Sequence, residues 1–537
     1  MSTRDLITSF SAAAMLVACS NVSMDGASTH GGAGSSGNAV APGTSSMPAG
    51  MHGAMQVSMP VGTPATTPGG MRAGTAGSTV PINMPVSSSV PFDVVPALDV
   101  DPRDDVVEVH LEAKLADVEL SPGRVVHMWT YNGVLPGPRI EARVGDRLRV
   151  TLKNSLPEPT TIHWHGLRVP AEMDGVEAVQ SPIAPGEEYR YDFVVPDAGT
   201  FWYHPHVHSD EQVERGLYGP IVVRGPSEPA TTSDHVVVLD DILLDASGQI
   251  AAFGSNPMEG MLGREGNVLL ANGRAHPVVD VVPGGLQRFR FINAANARYF
   301  RLALPGHKLI QIGSEAGMLE QPRTLDDFLL VPGQRADFVV VSAADDQTVS
   351  LQTEPYQRGH HADGGSMAPL FDLRAAGDRV DTPSIPAALG TVSALPQASV
   401  SRELKFEESM GMMGGGMHHG GSVAATSKTA MGPAFSFNGE VFPNVTPLKA
   451  HLGDVEEWSL VNTTPMDHPF HLHGFRFQVV STNDEPLAWR DTLNVPAMQT
   501  VRIRLRLDDH AGTWMFHCHI LEHAERGMMG ELQVESP

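Results

Sequence analysis

One pattern occurs three times along the chain, and it constrains the fold more than any other feature. It reads "YNGVLPGPRIEARVGDRLRVTLKN" from Tyr131 to Asn154, "ANGRAHPVVDVVPGGLQRFRFIN" from Ala271 to Asn293, and "FNGEVFPNVTPLKAHLGDVEEWSLVN" from Phe437 to Asn462. Each copy runs Asn-Gly, a proline, an apolar alternation, a Gly-containing turn, a second alternation and a closing Asn. The period-2 stretches "RLRVTL", "QRFRFI" and "EEWSLV" predict half-buried strands, with tight turns at Asn-Gly and at the other glycines. Copies about 140–165 residues apart are too widely spaced for a solenoid of short repeats. The chain is therefore expected to be all-β, with three related domains of sandwich or barrel type at 91–227, 228–395 and 396–537. A length of 537 residues accommodates them, and 54 Gly, 42 Pro and only 6% aromatics suit short strands and turns.

A second repeat links only the first and last domains. "HWHGLR" (His163 to Arg168) matches "HLHGFR" (His471 to Arg476), and "AGTFWYHPH" (Ala198 to His206) matches "AGTWMFHCH" (Ala511 to His519). Each of these domains thus carries two His-x-His pairs, and no such pair was found in the middle domain, whose expected job is spacing and packing. On a strand, residues i and i+2 share a face, so each pair offers two imidazoles side by side. A single pair arises by chance on many β-proteins; four pairs placed symmetrically do not. Eight imidazoles exceed the four ligands of a tetrahedral zinc and suit a multinuclear centre between two domains.

Cys518 sits between His517 and His519. In an extended segment its thiol faces away from both and needs partners of its own. His523 and Met528 follow it, and His468 precedes His471 in "DHPFHLH". Two His, one Cys and a weak axial Met form the ligand set of a blue-copper electron-transfer site. One short strand would then join that copper to the histidine cluster.

The set "HWHG", "YHPH", "HPFHLHG" and "HCHILEHAERGM" resembles the four copper signatures of the three-domain multicopper oxidases, which include laccases and bacterial cuprous oxidases. The resemblance covers about residues 91–537. It implies three cupredoxin-like Greek-key domains and four copper ions. It also implies one-electron oxidation of a substrate at a type 1 copper, coupled to four-electron reduction of O2 to water at a trinuclear cluster. Carried over by position, His468, Cys518 and His523 would hold the type 1 copper with Met528 axial, and family spacing favours Met528 over Met529. His163 and His471 would hold the type 2 copper. His165, His204 and His519 would hold one type 3 copper, and His206, His473 and His517 the other. An axial Met implies a lower potential than the Leu or Phe of high-potential members, which favours easily oxidised substrates. Asp174, nine residues after His165, matches an Asp that relays protons in some bacterial members; the plainer reading is an Asp-Gly turn. Many of those enzymes have a Glu directly after the type 1 His. Here that residue is Ala524, and neither Glu522 nor Glu525 is a positional match.

The remaining features bound partners and location. Sixty-one acidic against 36 basic residues give a net charge of −25, which argues against nucleic acid or an anionic membrane surface as a partner. Arg4 precedes an apolar run of about 13 residues, in the range of a secretory h-region and too short to span a bilayer as a helix. Its ending, "LVAC", fits either a lipobox that lipidates Cys19 or an ordinary signal peptide ending at 19. Export is expected, to the periplasm, to an outer-membrane anchor or to the exterior of a bacterial cell, as a monomer. With Cys19 lipidated or removed, Cys518 has no disulfide partner, and metal ligation gives a lone thiol its reason. Residues 20–90 read as a disordered Gly/Ser/Pro/Met-rich tether, reaching roughly 45 Å. "SMGMMGGGMHHGG", at 409–421, carries thioethers and imidazoles, the ligands Cu(I) prefers.

Three functions are consistent with this sequence. The first is laccase-like oxidation of phenols and aromatic amines; the second is oxidation of a metal ion, Cu(I) or Fe(II), for copper tolerance. The third, a non-enzymatic copper carrier or degenerate scaffold, has no use for a complete ligand set. His208, Asp467, His360, His361 and Met367 are assigned no ligand role.

Overall fold

The computed structural model describes residues 92–536, apart from 255, 257, 344–346, 361–363, 410–432 and 481–484. The segments read as signal peptide (1–19) and tether (20–90), His361, and the Met-rich stretch beyond Ser409 lie outside the described residues.

The repeat has a structural cause at both ends. Asn132, Asn272 and Asn438 lie at φ of 59°, 50° and 53°, and the glycines after them at 79°, 70° and 76°. Two successive left-handed residues make a tight type I′ reversal, which Asn-Gly adopts at least cost. Each asparagine Oδ1 then accepts an amide from the neighbouring strand: Glu112, Val238 and Lys405. The closing asparagines, Asn154, Asn293 and Asn462, are buried. Each donates Nδ2 to two backbone carbonyls and accepts the amide two residues on. Each such bond contributes roughly 1 kcal/mol, and a buried orphan costs more, so other residue types fit poorly here.

Between the two asparagines the chain changes sheet. Ile140–Arg143 runs parallel to Gly219–Arg224, whereas Arg147–Asn154 runs parallel to Val106–Ser121 in the opposite sheet. The same crossing recurs at Val278–Val281 and Leu286–Asn293, and again at Leu448–His451 and Val455–Asn462. Among the described residues, six sheets of four to six strands result, two to a domain, with the crossovers of Greek-key sandwiches. The all-β expectation holds. Among the described residues, no helix is long and apolar enough to cross a membrane.

The half-buried pattern holds in Arg147–Asn154 and Val455–Asn462 but not in Leu286–Asn293, which is buried along its whole length. The reason is ionic. Arg288 and Arg290, on its polar face, are sealed by Asp337 at 2.6 Å and Asp234 at 2.8 Å. Glu228 meets both guanidiniums, at 2.8 and 2.7 Å. One apolar cluster runs through both outer domains, joining Trp164 and Phe201 of the first to Phe470, Trp514 and Phe516 of the last. The middle domain keeps a separate core around Phe289, Phe291, Phe338 and Phe371. The outer domains therefore share an interior, and the histidine motifs lie in it.

Candidate metal centre

His163–His165 pairs antiparallel with Gly199–His204, placing His163 opposite His204. His468–Leu472 pairs antiparallel with Gly512–Cys518, placing His471 opposite His517. His206, His473 and His519 lie just past the ends of their strands. All eight imidazoles are buried except His206, which is half-buried.

The two domains bring their motifs together. His165, His204 and His519 form one group; His206, His473 and His517 form a second; His163 and His471 meet beside His165. Within each group the atoms able to ligate lie within 4.8 Å of one another. Hydrogen bonds fix the tautomers. His163 Nδ1 donates to the Asp174 carbonyl and His471 Nδ1 to the Asp491 carbonyl, both at 3.0 Å. His473 Nδ1 donates to Asp174 Oδ2 at 2.8 Å, and His517 Nδ1 to the Cys518 carbonyl at 2.9 Å. A neutral imidazole has one N–H, so each of these Nε2 atoms carries a bare lone pair.

Those lone pairs face each other. His163 Nε2 is 3.4 Å from His471 Nε2, and His517 Nε2 is 3.0 Å from His473 Nε2 and 3.4 Å from His206 Nε2. In the remaining group, His165 Nδ1, His204 Nε2 and His519 Nε2 are buried with no hydrogen-bond partner among the described residues. Burial and mutual repulsion hold His165, His204, His473, His517 and His519 well below the usual imidazole range, and hold His206 near about 3. Protons therefore do not relieve the crowding at neutral pH. A cation does, and imidazole-rich sites suit copper.

Cys518 forms the other site. Its Sγ lies 3.5 Å from His468 Nδ1 and 3.6 Å from His523 Nδ1, and these two nitrogens are 3.3 Å apart. The far nitrogens are anchored: His468 Nε2 lies 2.8 Å from Thr464 Oγ1, and His523 Nε2 donates to the Met261 carbonyl at 3.0 Å. Such outer contacts orient ligands. Burial pushes the Cys518 thiol up, so the soft thiolate needs a metal to form. Met528 is fully buried in the same apolar cluster as Cys518 and Ile520, whereas Met529 packs with Val176, Met515 and Ala524.

Asp174 is both a turn residue and a cluster contact. It follows the turn Ala171–Met173 and precedes Gly175 (φ 79°), where a Cβ would come 1.7 Å from the Ile162 carbonyl oxygen. Its Oδ1 lies 3.2 Å from His163 Nδ1. Beyond it, a cavity of about 480 Å³ is lined by Val176, Glu177, His206, Ala524, Glu525 and Glu531. Both glutamates flanking Ala524 carry hydrogen bonds to other side chains. Glu522 accepts from Asn296 Nδ2 at 2.9 Å, and Glu525 accepts the Ser209 amide and hydroxyl at 2.8 and 2.9 Å.

The other sequence candidates fall outside these groups. His208 is exposed, 4.0 Å from Glu158. His360 pairs with Glu408 at 2.7 Å, and Met367 is exposed. Asp467 is a buried anchor, accepting from Tyr356 Oη at 2.6 Å, Asn494 Nδ2 at 2.8 Å and the Ala497 amide at 2.8 Å. Sequence reasoning missed Asp491, Thr464 and Met261, none of which belongs to a histidine motif. It also gave the middle domain spacing and packing, whereas Met261 in addition orients His523.

Three family models described as multicopper oxidase match residues 113–228, 197–363 and 419–537. The chain is similar to multicopper oxidase MmcO of Mycobacterium tuberculosis, 32% identical over 443 residues that cover 76% of this chain and 84% of that one. It is 26% identical to a Bacillus subtilis laccase over 495 residues, 78% of this chain and 92% of the relative. Among solved structures, a Campylobacter jejuni multicopper oxidase described as a metallo-oxidase superposes with a TM-score of 0.75. That structure is 30% identical, and the match covers 86% of this chain and 98% of the other. The sandwiches are accordingly cupredoxin-like domains, the cofactor is copper, and the chain, an oxidoreductase, belongs to the multicopper oxidase family.

Proposed function

We propose that this oxidase takes single electrons from phenols and aromatic amines and delivers them to O2. The observation that carries the proposal is the placement of Cys518. It belongs to one ligand group, and its chain neighbours His517 and His519 belong to two others. In this reading His468, Cys518, His523 and Met528 would hold the type 1 copper. His163 and His471 hold the type 2 copper. His165, His204 and His519 hold one type 3 copper, and His206, His473 and His517 the other. Bound copper would supply the one-electron steps and the four-electron reduction of O2 to water. The chain's own part is to bury the imidazoles, hold His163, His471, His473 and His517 each in one tautomer, and bring protons inward. We assign that last task to Asp174, whose Oδ2 receives the His473 proton while Oδ1 stays free to take another. The N-terminal segment fits export, and the acidic charge fits a protein that meets cations outside the cell.

A second reading, oxidation of Cu(I), is favoured by where the Met-rich stretch is rooted. Ser409 pairs with Ala434 across it, and the next residue, Phe435, stacks on His523 at 3.8 Å. Ser409, the first residue of the stretch, thus lies across from a strand that contacts the Cys518 site. Deleting 410–421 spares the Ser409–Ala434 pair. O2 uptake by wild type and deletion is to be measured with Cu(I), Fe(II) and a dimethoxyphenol. Loss of a tethered store of ligand should depress Cu(I) turnover by about tenfold while phenol turnover changes little. Equal effects on both would refute delivery of copper by these methionines.

A further inference from the structure

The middle domain contains none of the histidine pairs, yet its side chains reach the loop that contacts the cluster. Arg335 begins the strand Arg335–Val341 and is fully buried. Its Nη1 and Nη2 each donate to Asp491, at 2.6 Å to Oδ1 and 2.6 Å to Oδ2. Its Nε donates to the Thr200 carbonyl at 2.9 Å, on the strand that ends in His204. Two residues along, Asp337 Oδ1 accepts from Thr200 Oγ1 at 2.8 Å. The middle strand therefore grips the first domain's ligand strand twice and a carboxylate of the last domain once.

Asp491 passes that grip to the imidazoles. Its Oδ1 lies 3.1 Å from His165 Nε2, the nitrogen opposite the unpartnered Nδ1. Its carbonyl accepts from His471 Nδ1 at 3.0 Å. Thr492 Oγ1 completes the contacts, 3.1 Å from His165 Nε2 and 3.2 Å from His471 Nδ1. A second middle-domain residue fixes the same loop: Glu315 Oε2 accepts the amides of Asp491 at 2.6 Å and Thr492 at 3.0 Å. There is no slack. A Cβ on Gly166, directly after His165, would fall 2.2 Å from Arg335 Nη2 and 2.7 Å from Asp491 Oδ2.

We propose that Arg335 is a positioning residue for the histidine cluster: from the middle domain it fixes Asp491, and Asp491 fixes one histidine of each outer domain. A planar fork matched to a carboxylate sets direction as well as charge, which a point charge does not. The middle domain on this view completes a site whose ligands all belong to its neighbours. The inference rests on the reading of the cluster as a trinuclear copper site.

The test uses full-length, copper-loaded Arg335→Met and Arg335→Lys proteins. Copper retention is titrated with a chelator, the type 2 copper is followed by electron paramagnetic resonance, and the blue absorption reports separately on the Cys518 site. Losing a contact of this kind typically weakens metal affinity about 10–100-fold. Arg335→Met should show that loss in the cluster coppers, with altered type 2 resonance and unchanged blue absorption; Arg335→Lys should lie between it and wild type. Unchanged cluster affinity and resonance would overturn the proposal. So would a parallel loss of blue absorption, which marks a general structural role. Failure of the trinuclear reading would appear in the wild type, as missing type 2 and type 3 signals, whereas failure of this proposal appears only in the ratio of variant to wild type.

Discussion

Cys518→Ser protein should be folded, colourless and inactive. The blue absorption of a type 1 copper is charge transfer from a thiolate, and a serine hydroxyl is neither soft nor ionised at neutral pH. His468 and His523 stay anchored by Thr464 and Met261, so the pocket keeps its shape but loses its sulfur. The fold should tolerate the change. The side chains are close in size, and the Ile520 amide, 3.4 Å from Sγ, remains as a donor for the hydroxyl. A polar group left short of partners there costs about 1–3 kcal/mol, within the margin of a typical domain. His517 keeps its bond to the backbone carbonyl of residue 518 and His519 its place in the group with His165 and His204, so the cluster should still load. Copper analysis should show one ion per chain missing, and O2 uptake should fall to background with phenol and Cu(I) alike. Retained blue colour would refute the assignment of Cys518. Unfolding, seen as a lost thermal transition, would instead show that the thiol is needed for packing.

What could be read in the sequence was what chemistry or backbone geometry imposes locally. The Asn-Gly pairs recur because a left-handed reversal demands them, and Asn154, Asn293 and Asn462 because a sandwich corner needs a three-way buried link. The histidine pairs are legible because ligands on strands must alternate. The contacts that orient the ligands are not legible, because they come from residues distant in the chain and of ordinary type. Arg335, in "PGQRADF", looks like a surface residue in a strand; only tertiary packing places it against Asp491. Leu286–Asn293 defeated the half-buried reading for the same reason: alternation cannot reveal that partners for Arg288 and Arg290 will close over the polar face. The middle domain reads as spacing and packing because it carries no histidine pair, and its other contribution is made one contact further out.

Asp174→Asn should separate the two halves of the catalytic cycle. Asparagine has the same size and an oxygen that can accept from His473 Nδ1, so the turn before Gly175 and the copper content should persist. What it cannot do is take up and release a proton. Asp174 is fully buried, one carboxylate oxygen engaged by His473 and the other 3.2 Å from His163 Nδ1, and its chain leads within two residues to the cavity at Val176 and His206. A proton from solvent thus has a carboxylate between the cavity and two imidazoles of different ligand groups. Ala524 stands in place of a glutamate, Glu522 accepts from Asn296 and Glu525 from Ser209, which leaves Asp174 as the carboxylate in contact with both His473 and His163. Positioned acid catalysis contributes roughly 10²–10⁴-fold, so reoxidation of the fully reduced variant by O2 should slow by about that factor. Reduction of the Cys518 site by substrate requires no proton at Asp174 and should proceed at the wild-type rate. Stopped-flow measurement of both half-reactions distinguishes the roles. If the variant reoxidises as fast as wild type, Asp174 serves the turn alone.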